Sequence, residues 1–482
     1  MDDQAGRNRA VARLAVRGAA ALGLRQLAIA ALSTVGSALL ARFLTPAEYG
    51  VYGIVSLVLA FLLVFGDGGL GTSLVQQAEE PTVRELRQVF TVQLAAVGTM
   101  TVVVALASGW IPGLFGLPGS DALVFRLAAL AVAVQVFQAV PMLLLERRLD
   151  FARLGLVSVT EIAVFYVVAV TLAARGDGAR SVGIALLTQA VVGAALAHWL
   201  SPWRTGLTRD LSGMAGRLRF SLLYQGANVV SLVKDSVTPV LVGLVSGAAA
   251  VGYVSWAATL ATFALLALAP LARLYLPVYA RLQHDRELLG RAVELSMRAT
   301  HTLTAPLSIM VLVLAHPITD IVFGTKWRPA LPVFAFLWLA NIAVPTAQPL
   351  FALLNAVGRS AATFRLSVMW MILTWVLTPP LLLGLGLVGF GVANALVQLS
   401  TVVLVRAARR EAACSLLRPF WPAWTAAAIA GAVVWAGEQL YPAHDALALA
   451  ALLCTGILVY VGASWPLQHR ELRYAAGLVR PA

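Results

Sequence analysis

The chain has 482 residues, of which 60% are hydrophobic and only 12% are charged. A soluble domain carries roughly a quarter charged residues, so this chain has too few to cover a water-facing surface of its size. The composition excludes an ordinary soluble protein and predicts a protein of the lipid bilayer. The net charge of +13 does not indicate nucleic-acid binding, because the basic residues stand in short runs between apolar stretches.

Fourteen apolar stretches are long enough to cross a bilayer as helices, which takes about 20 residues each. They do not alternate between polar and apolar residues, as the strands of an outer-membrane barrel would. We therefore predict an all-α polytopic membrane protein. The predicted spans are 24–44, 51–75, 88–108, 123–145, 154–174, 181–200, 220–245, 251–277, 297–318, 329–354, 364–385, 388–408, 419–437 and 446–464.

Basic residues in short loops predict the orientation of these spans. With the N-terminus inside, 23 arginines fall in cytoplasmic segments and four basic residues fall in outer loops. Both termini are therefore predicted to be cytoplasmic. The longest predicted loops, 201–219 and 278–296, are also cytoplasmic, and no separate soluble domain is expected.

An internal repeat is predicted from two similar stretches that align Gly50 with Gly252, at an offset of 202 residues. Six spans separate the two copies. Because six is even, both halves have the same orientation, which is the arrangement of a parallel repeat with a substrate path between its halves. Glycine, leucine and valine also align easily in any hydrophobic chain, so chance similarity is the alternative.

The seventh predicted span carries a polar stripe at membrane depth. Five polar residues recur there every three or four positions and therefore share one helix face. They are Tyr224, Asn228, Ser231, Asp235 and Thr238. Lys234 is adjacent to Asp235, so we predict that it points about 100° away and does not pair with it. The stripe predicts one wall of an aqueous cavity, and hydrogen bonding between helices is the alternative.

Cationic residues at membrane depth favour an anionic substrate. Arg25, Lys234 and Arg273 could together receive a phosphate or pyrophosphate, the arginines by paired hydrogen bonds and the lysine as a point charge. For Arg25 and Arg273, anchoring at the cytoplasmic surface is an equal alternative.

Three acids in the predicted spans are candidates for binding a coupling proton or sodium ion, because an ionisable residue there costs about 2.5–3.5 kcal/mol. They are Asp67, Glu161 and Asp235. Asp67 lies in the motif GDGGLGT, whose glycines permit either an interrupted helix or a close helix contact. Shorter polar stripes, which fit either a cavity wall or helix contacts, include Gln138 in span 4, Gln348 in span 10 and Gln398 in span 12.

Other chemistries find no support in the sequence. It contains no phosphate-binding loop of the G-x-x-x-x-G-K-[ST] type, so no ATP site is predicted. The six histidines show no metal-ligand spacing. The predicted outer loops hold few of the acids, histidines and arginines that a glycan polymerase or ligase needs. We therefore predict a transporter, not an enzyme, with no cofactor.

Several segments resemble the Wzx-type oligosaccharide flippases, a family of bacterial polysaccharide exporters. The similarity extends from about residue 20 to residue 410. The stretches that carry it are 39–76, RLDF at 148–151, 270–285, FGTKW at 323–327 and LNAVGRS at 354–360. This resemblance implies two pseudo-symmetric six-helix lobes around a central cavity, in a superfamily that includes multidrug exporters and lipid II flippases. The implied activity is movement of an undecaprenyl-pyrophosphate-linked oligosaccharide to the outer leaflet of the bacterial plasma membrane by alternating access.

The predicted organisation follows from the spans and this resemblance. It comprises a basic cytoplasmic segment (1–23), an N-lobe (24–200), a linker (201–219), a C-lobe (220–408), spans 13 and 14 (409–464) and a cytoplasmic tail (465–482). The resemblance further implies a lumen lined by Arg25, Lys234, Asp235 and Arg273, and a lipid-tail groove at the last two spans. Expected partners are the lipid-linked substrate and the bilayer, with a polymerase and glycosyltransferases as possible associates.

Three alternative functions remain at the level of sequence. A lipid II flippase is hardly separable from the leading hypothesis. A multidrug or cation antiporter of the same superfamily is disfavoured, because its cavity would be richer in acids and aromatics than in Arg and Lys. A non-transporting scaffold remains open if the charges at membrane depth prove dispensable.

Overall fold

The computed structural model describes residues 25–26, 28–67, 74, 79–212, 214, 226, 228–415 and 417–479. Over these residues the protein is helical and contains no strand, as predicted. Eleven helices are long and apolar enough to cross a membrane, or twelve if the pair Arg286–Val313 and Ala315–Phe323, bent by 76°, is one span. The protein is thus a polytopic helical membrane protein. The number of fourteen spans stays a prediction.

The chain divides into two compact units, residues 1–252 and 253–482. The predicted division placed the boundary between lobes at 201–219, and the predicted lobe, linker and tail bounds stay predictions. In the first unit the helices are α1 (Ala28–Phe43), α2 (Pro46–Asp67), α3 (Val83–Ala107), α4 (Ala122–Arg147), α5 (Phe151–Ala174), α6 (Arg180–Leu200) and α7 (residues 228–246). A single turn, Ile111–Leu114, lies between α3 and α4.

Polar residues cap the start of two helices of the first unit. Thr82 and Glu85 form a reciprocal capping box at the start of α3, and Asp150 accepts a hydrogen bond from the Arg153 amide at the start of α5. Such caps satisfy amide groups that the first helical turn leaves unpaired. Leucine, valine and phenylalanine side chains of α2, α3 and α4, among them Leu62 and Phe90, then form a buried core.

A glycine ends α7. Gly247 has φ +79° and ψ 176°, inside an otherwise continuous apolar run Asn228–Leu268. That conformation is outside the helical region and is accessible to glycine, so the run contains two helices. The second, α8 (residues 248–262), begins in the first unit and leads through a 3₁₀ segment, Phe263–Leu268, into the second unit.

In the described part of the second unit, nine further α-helices are longer than one turn. They are α9 (Ala269–Leu282), α10 (Arg286–Val313), α11 (Leu331–Asn341), α12 (Val344–Ala356), α13 (Ser360–Leu385), α14 (Leu387–Leu399), α15 (Thr401–Glu411), α16 (Leu417–Leu440) and α17 (Ala446–Val479). One turn, Ala315–Ile318, and short segments at Thr319–Phe323 and Thr325–Ala330 connect α10 to α11.

The predicted loop 278–296 is wrong, because nearly all of it is helical. Only residues 283–285 separate α9 from α10. Asp285 begins α10 by accepting hydrogen bonds from the amides of Glu287 (3.0 Å) and Leu288 (2.9 Å). Hydropathy marks the part of a helix that crosses the bilayer, and it does not detect a polar extension of the same helix into water.

The last two helices pack on α10. The indole of Trp424 in α16 donates to His301 Nδ1 at 3.1 Å, and the Tyr460 hydroxyl of α17 donates to the Thr302 carbonyl at 2.8 Å. A Cβ added to Gly431 would lie 2.4 Å from the Ile309 side chain, so that glycine permits close contact between α16 and α10. The pair is therefore an integral part of the second unit. A lipid-tail groove at this pair stays a prediction.

Hydrogen bonds and an ion pair attach the middle of the predicted linker to α3. Gln88 donates to the carbonyls of Asp210 (2.9 Å) and Ser212 (3.3 Å). Arg84 forms an ion pair with Asp210 and donates to the Ser212 hydroxyl at 2.6 Å. The Ser212 amide, which donates to Asp210 at 3.0 Å, lowers the pKa of the Asp210 carboxyl, and the Ser212 hydroxyl and Arg84 act in the same direction.

This anchor predicts a pH dependence for the linker. The pKa of Asp210 is lowered in the folded protein. The contribution of its carboxylate to the stability of the anchor is therefore complete above the usual pKa of 3.8 and is lost as pH falls through the lowered value. We expect the Ser212 amide to keep its hydrogen-exchange protection on acidification until below that usual value. Asp210→Asn should reduce protection at neutral pH. Loss of wild-type protection already in weakly acidic solution would contradict the assignment.

Candidate functional site

The polar stripe of α7 lies on the exposed face of its helix. Asn228, Ser231 and Asp235 are exposed, whereas Leu232 and Val237 on other sides of the helix are buried. Thr238, the last member of the predicted stripe, is half-buried. Tyr224 lies outside the described residues. The hydropathy pattern thus correctly separated the polar face of α7 from its packed face.

Lys234 and Asp235 form an ion pair, and the prediction that they do not pair is wrong. Lys234 Nζ lies 2.5 Å from Asp235 Oδ1, and the two side chains are 37% and 68% exposed. The two Cβ atoms do point in different directions, as the helical geometry requires. The four-carbon chain of lysine, however, is long enough to return its ammonium group to the neighbouring carboxylate.

Lys234 and Asp235 are exposed within a span that the sequence predicts to cross the membrane. An ionised side chain facing the hydrocarbon of the bilayer costs several kcal/mol, so such residues face protein or a water-filled cavity. The pair is too exposed to be surrounded by the protein of its own unit. The face defined by Asn228, Ser231, Lys234 and Asp235 is here called the α7 polar face, and its role as a cavity wall stays a prediction.

Arg25 and Glu161 lie together in a second polar cluster of the first unit. Arg25 packs against α5, where a Cβ added to Gly155 would lie 3.7 Å from its Cβ atom. Its charge is close enough to attract that of Glu161, and Gln138 of α4 lies beside the same carboxylate. Among the described residues, Arg25 Nε, Glu161 Oε1 and Gln138 Oε1 are buried without a hydrogen-bond partner. Such buried atoms are uncommon in proteins, and each calls for a partner such as a water molecule or an ion.

A glycine of α6 makes room for this cluster. A Cβ added to Gly193 would lie 2.1 Å from Glu161 Oε1 and 2.7 Å from Gln138 Oε1. No pattern in the sequence indicated this contact, because it joins residues of three different helices, α4, α5 and α6. The space for Glu161 is therefore created by the tertiary structure.

Substituting Gly193 with alanine should disturb the cluster. The new methyl group would displace the Glu161 carboxylate, so we expect Gly193→Ala to lower transport to about the level of Glu161→Ala if Glu161 takes part in it. Gly98→Ala is the matched control, since no atom lies within 4 Å of the added Cβ there. Transport and thermal unfolding of the three purified variants would be compared. Equal transport by Gly193→Ala and Gly98→Ala would contradict a role for the close packing of Glu161 against Gly193.

Two of the predicted site residues remain. Arg273 is exposed on α9, in the second unit. Asp67 is the last residue of α2, and its side chain lies outside the described part. The lumen role of Arg25, Lys234, Asp235 and Arg273 and the coupling role of the acids stay predictions.

Gly50 and Gly252 contact each other reciprocally within the first unit. A Cβ on Gly50 would lie 1.8 Å from the Ala248 carbonyl oxygen, and a Cβ on Gly252 would lie 1.9 Å from the Pro46 carbonyl oxygen. Pro46 lies four residues before Gly50, and Ala248 lies four residues before Gly252. Pro46 and Ala248 are therefore also 202 residues apart. The two glycines are thus in equivalent positions of one helix contact, and the duplication stays a prediction.

Residues 39–332, more than half of the chain, match the family described as polysaccharide biosynthesis protein. The chain belongs to this family. The matched range contains the whole α7 polar face and Arg273, and Arg25 precedes it. The predicted resemblance to bacterial polysaccharide exporters is thereby confirmed.

Curated relatives of this polysaccharide biosynthesis protein have related names. The succinoglycan biosynthesis transport protein ExoT of Rhizobium meliloti (strain 1021) is 27% identical over 327 residues, which cover 68% of this chain and 66% of ExoT, just under two thirds. The lipopolysaccharide biosynthesis protein WzxC of Escherichia coli (strain K12) is 22% identical, with 78% and 77% of the two chains covered. The teichuronic acid biosynthesis protein TuaB of Bacillus subtilis (strain 168) is also 22% identical, with 72% of each chain covered.

Solved structures show the same fold in other transporters. The lipid II flippase MurJ in an inward closed conformation superimposes with a TM-score of 0.72, covering 95% of this chain and 100% of MurJ at 12% identity. An inward-facing multidrug transporter of the MATE family gives 0.58, covering 80% of this chain and 97% of the transporter at 15% identity. At 12% and 15% identity these likenesses concern the fold alone. ExoT is named as a transport protein, which agrees with the prediction that the chain is a transporter and not an enzyme.

Proposed function

We propose that this protein moves an undecaprenyl-pyrophosphate-linked oligosaccharide from the inner to the outer leaflet of the bacterial plasma membrane, for assembly of a surface polysaccharide. The observation that carries the proposal is the α7 polar face, with an exposed lysine and aspartate at membrane depth inside the family's matched range. A cavity wall of this kind suits a substrate with a charged head group and a polar glycan. ExoT and WzxC are named for the biosynthesis of such polymers.

Lys234 is the residue best placed to meet the pyrophosphate. Its ammonium group pairs with Asp235, and its side chain is 37% exposed, which leaves it accessible to a phosphate group. Arg25 and Arg273 are further candidate contacts, on different helices. Alternating access exposes these groups first to the cytoplasm and then to the outside.

The membrane potential can drive much of this movement. Each charge that crosses 100 mV changes the free energy by about 2.3 kcal/mol, so two negative charges leaving a negative interior gain roughly 4–5 kcal/mol. Coupling to a proton or sodium ion at Asp235, Glu161 or Asp67 is compatible with the proposal and is not required by it. The cytoplasmic termini, and association with a polymerase and with glycosyltransferases, belong to the same proposal.

Reconstitution tests the proposal directly. Purified protein in liposomes would be supplied with a fluorescent undecaprenyl-pyrophosphate oligosaccharide, and the fraction accessible from the outside would be followed with and without an imposed potential. We expect flipping that accelerates when the receiving side is positive. In cells, deletion of the gene should cause the lipid-linked glycan to accumulate inside and the surface polymer to disappear. Absence of both effects would overturn the proposal.

A lipid II flippase is the second candidate, favoured by one observation. The MurJ fold covers 95% of this chain, against 80% for the multidrug transporter. At 12% identity this likeness concerns the fold alone. Lipid II and a drug cation would therefore be offered in the same liposome experiment. Preferential flipping of lipid II would replace the leading candidate, and export of the drug cation would indicate an antiporter.

A further inference from the structure

The second unit contains a partly open cavity of about 310 Å³. Its walls come from α9, α12, α13 and α14. The residues that define it are Tyr275, Gln348, Phe351, Trp370 and Gln398, together with small side chains. This volume is in the range of roughly 300–1,000 Å³ that small-molecule sites occupy, and such sites combine apolar walls with a few polar groups.

Two polar atoms in this cavity lack partners. Tyr275 is 96% buried, since only 4% of its surface is exposed, and its hydroxyl has no hydrogen-bond partner among the described residues. Gln348 Oε1 is likewise buried without a partner there. A buried hydroxyl or amide oxygen without a hydrogen bond destabilises the folded protein, so each such atom calls for a ligand or water.

The other polar groups of the cavity are already engaged. The Trp370 indole donates to the Ser400 hydroxyl at 2.8 Å, and Gln398 accepts from the Thr401 hydroxyl at 3.2 Å. These bonds fix the side chains without consuming the Tyr275 hydroxyl or Gln348 Oε1. The Tyr275 hydroxyl and Gln348 Oε1 can thus serve as a donor and an acceptor on two residues that line the cavity.

The lining also defines the charge of the ligand. No acidic or basic side chain is among the described residues that line the cavity. A charge held away from water without a partner is unfavourable, so this lining favours an uncharged occupant over a phosphate, a carboxylate or an ammonium group.

Three aromatic rings complete the description. Tyr275, Phe351 and Trp370 all line the cavity, and the rings of Phe351 and Trp370 are 5.2 Å apart. Flat apolar walls of this kind match the C–H face of a pyranose, whose hydroxyls lie at the rim of the ring. We infer that this cavity is a binding site for a neutral sugar ring, one unit of the glycan that the protein transports. The sugar assignment rests on the proposed function, because it takes the glycan as the source of that ring.

Binding of free sugars tests the inference on the full-length protein. Glucose, galactose and N-acetylglucosamine would be titrated while tryptophan fluorescence is recorded. The chain has 12 tryptophans, so the Trp370→Phe protein supplies the background to subtract. Glucuronate serves as a charged comparison, and geraniol as a probe for a lipid tail. We expect at least one neutral sugar to change the Trp370 signal, and glucuronate and geraniol to leave it unchanged.

Two variants and a matched control locate the site. Tyr275→Phe and Gln348→Leu each remove one unpaired polar atom and should raise the dissociation constant about three- to tenfold, the value of one hydrogen bond. Tyr279→Phe is the control. Tyr279 is as buried as Tyr275 and stacks on it at 6.0 Å, but it does not line the cavity. Affinity should therefore be unchanged in Tyr279→Phe.

Several outcomes would overturn the inference. One is the absence of any sugar response up to the solubility of each sugar, as expected if water alone fills the cavity. Another is a response to geraniol in place of the sugars. Equal losses in Tyr275→Phe and Tyr279→Phe would show a general packing effect. If the protein flips the lipid-linked glycan but binds no free sugar, the sugar site is wrong and the proposed function stands. If it binds a sugar but does not flip the glycan, the proposed function is wrong and the sugar site stands.

Discussion

Glycan export should fall roughly ten- to a hundredfold when Lys234 is replaced with alanine. A hydrogen bond to a charged group contributes about 1.5–3 kcal/mol, and each 1.4 kcal/mol corresponds to a factor of ten. Lys234→Ala removes the only ammonium group of the α7 polar face and leaves Asp235 as an uncompensated negative charge facing an anionic substrate. Surface polymer and internal lipid-linked glycan would be measured in a deletion strain complemented at matched membrane expression.

Asp235 and a control pair sharpen this measurement. Asp235→Asn keeps the shape of the side chain and frees the lysine, so it should impair export less than Lys234→Ala if the lysine meets the pyrophosphate. A larger loss in Asp235→Asn would instead indicate that the carboxylate binds a coupling ion. Arg291→Ala is the control, because Arg291 also forms an exposed ion pair, at 3.8 Å from Glu287, near the start of α10. Normal export in both α7 variants would make the α7 polar face dispensable and contradict its proposed role.

The second large effect is expected at the contact between Gly50 and Gly252. A methyl group on either glycine would lie less than 2 Å from a backbone carbonyl oxygen of the facing helix, and a backbone atom cannot turn aside as a side chain can. Overpacking of this kind typically costs about 1–3 kcal/mol. We expect Gly50→Ala and Gly252→Ala to lower the thermal unfolding midpoint in detergent by several degrees, and to lower export as well.

The reciprocity of the contact makes this prediction specific. Either substitution separates the same two helices, so the double variant should lose much less than the sum of the two single effects. Gly98→Ala provides the baseline, since its added methyl meets no atom within 4 Å, and alanine in a helix is favoured over glycine by about 0.5–1 kcal/mol. A Gly50→Ala protein as stable as Gly98→Ala would contradict the packing of α2 on α8.

The sequence by itself determined the class of the protein. Runs of about 20 apolar residues have few stable forms other than membrane helices, because every backbone hydrogen bond must be satisfied within the hydrocarbon. The polar face of α7 was also predictable, since the helical period places Asn228, Ser231 and Asp235 on one side. Family membership followed from motifs in the expected order. The alignment of Gly50 with Gly252 was likewise visible in the sequence before any contact was known.

Other features depended on the tertiary structure. Hydropathy placed a loop at 278–296, where a cap at Asp285 and a polar helical extension leave only three residues outside helices. Helical geometry specified where the Cβ atoms of Lys234 and Asp235 point, but a long flexible side chain decides its own partner, and the two residues pair at 2.5 Å. The space at Gly193 for Glu161, and the unpaired Tyr275 hydroxyl in its cavity, arise where separate helices meet. Periodicity describes one helix at a time, whereas such sites are made by side chains of several helices, and only packing brings those together.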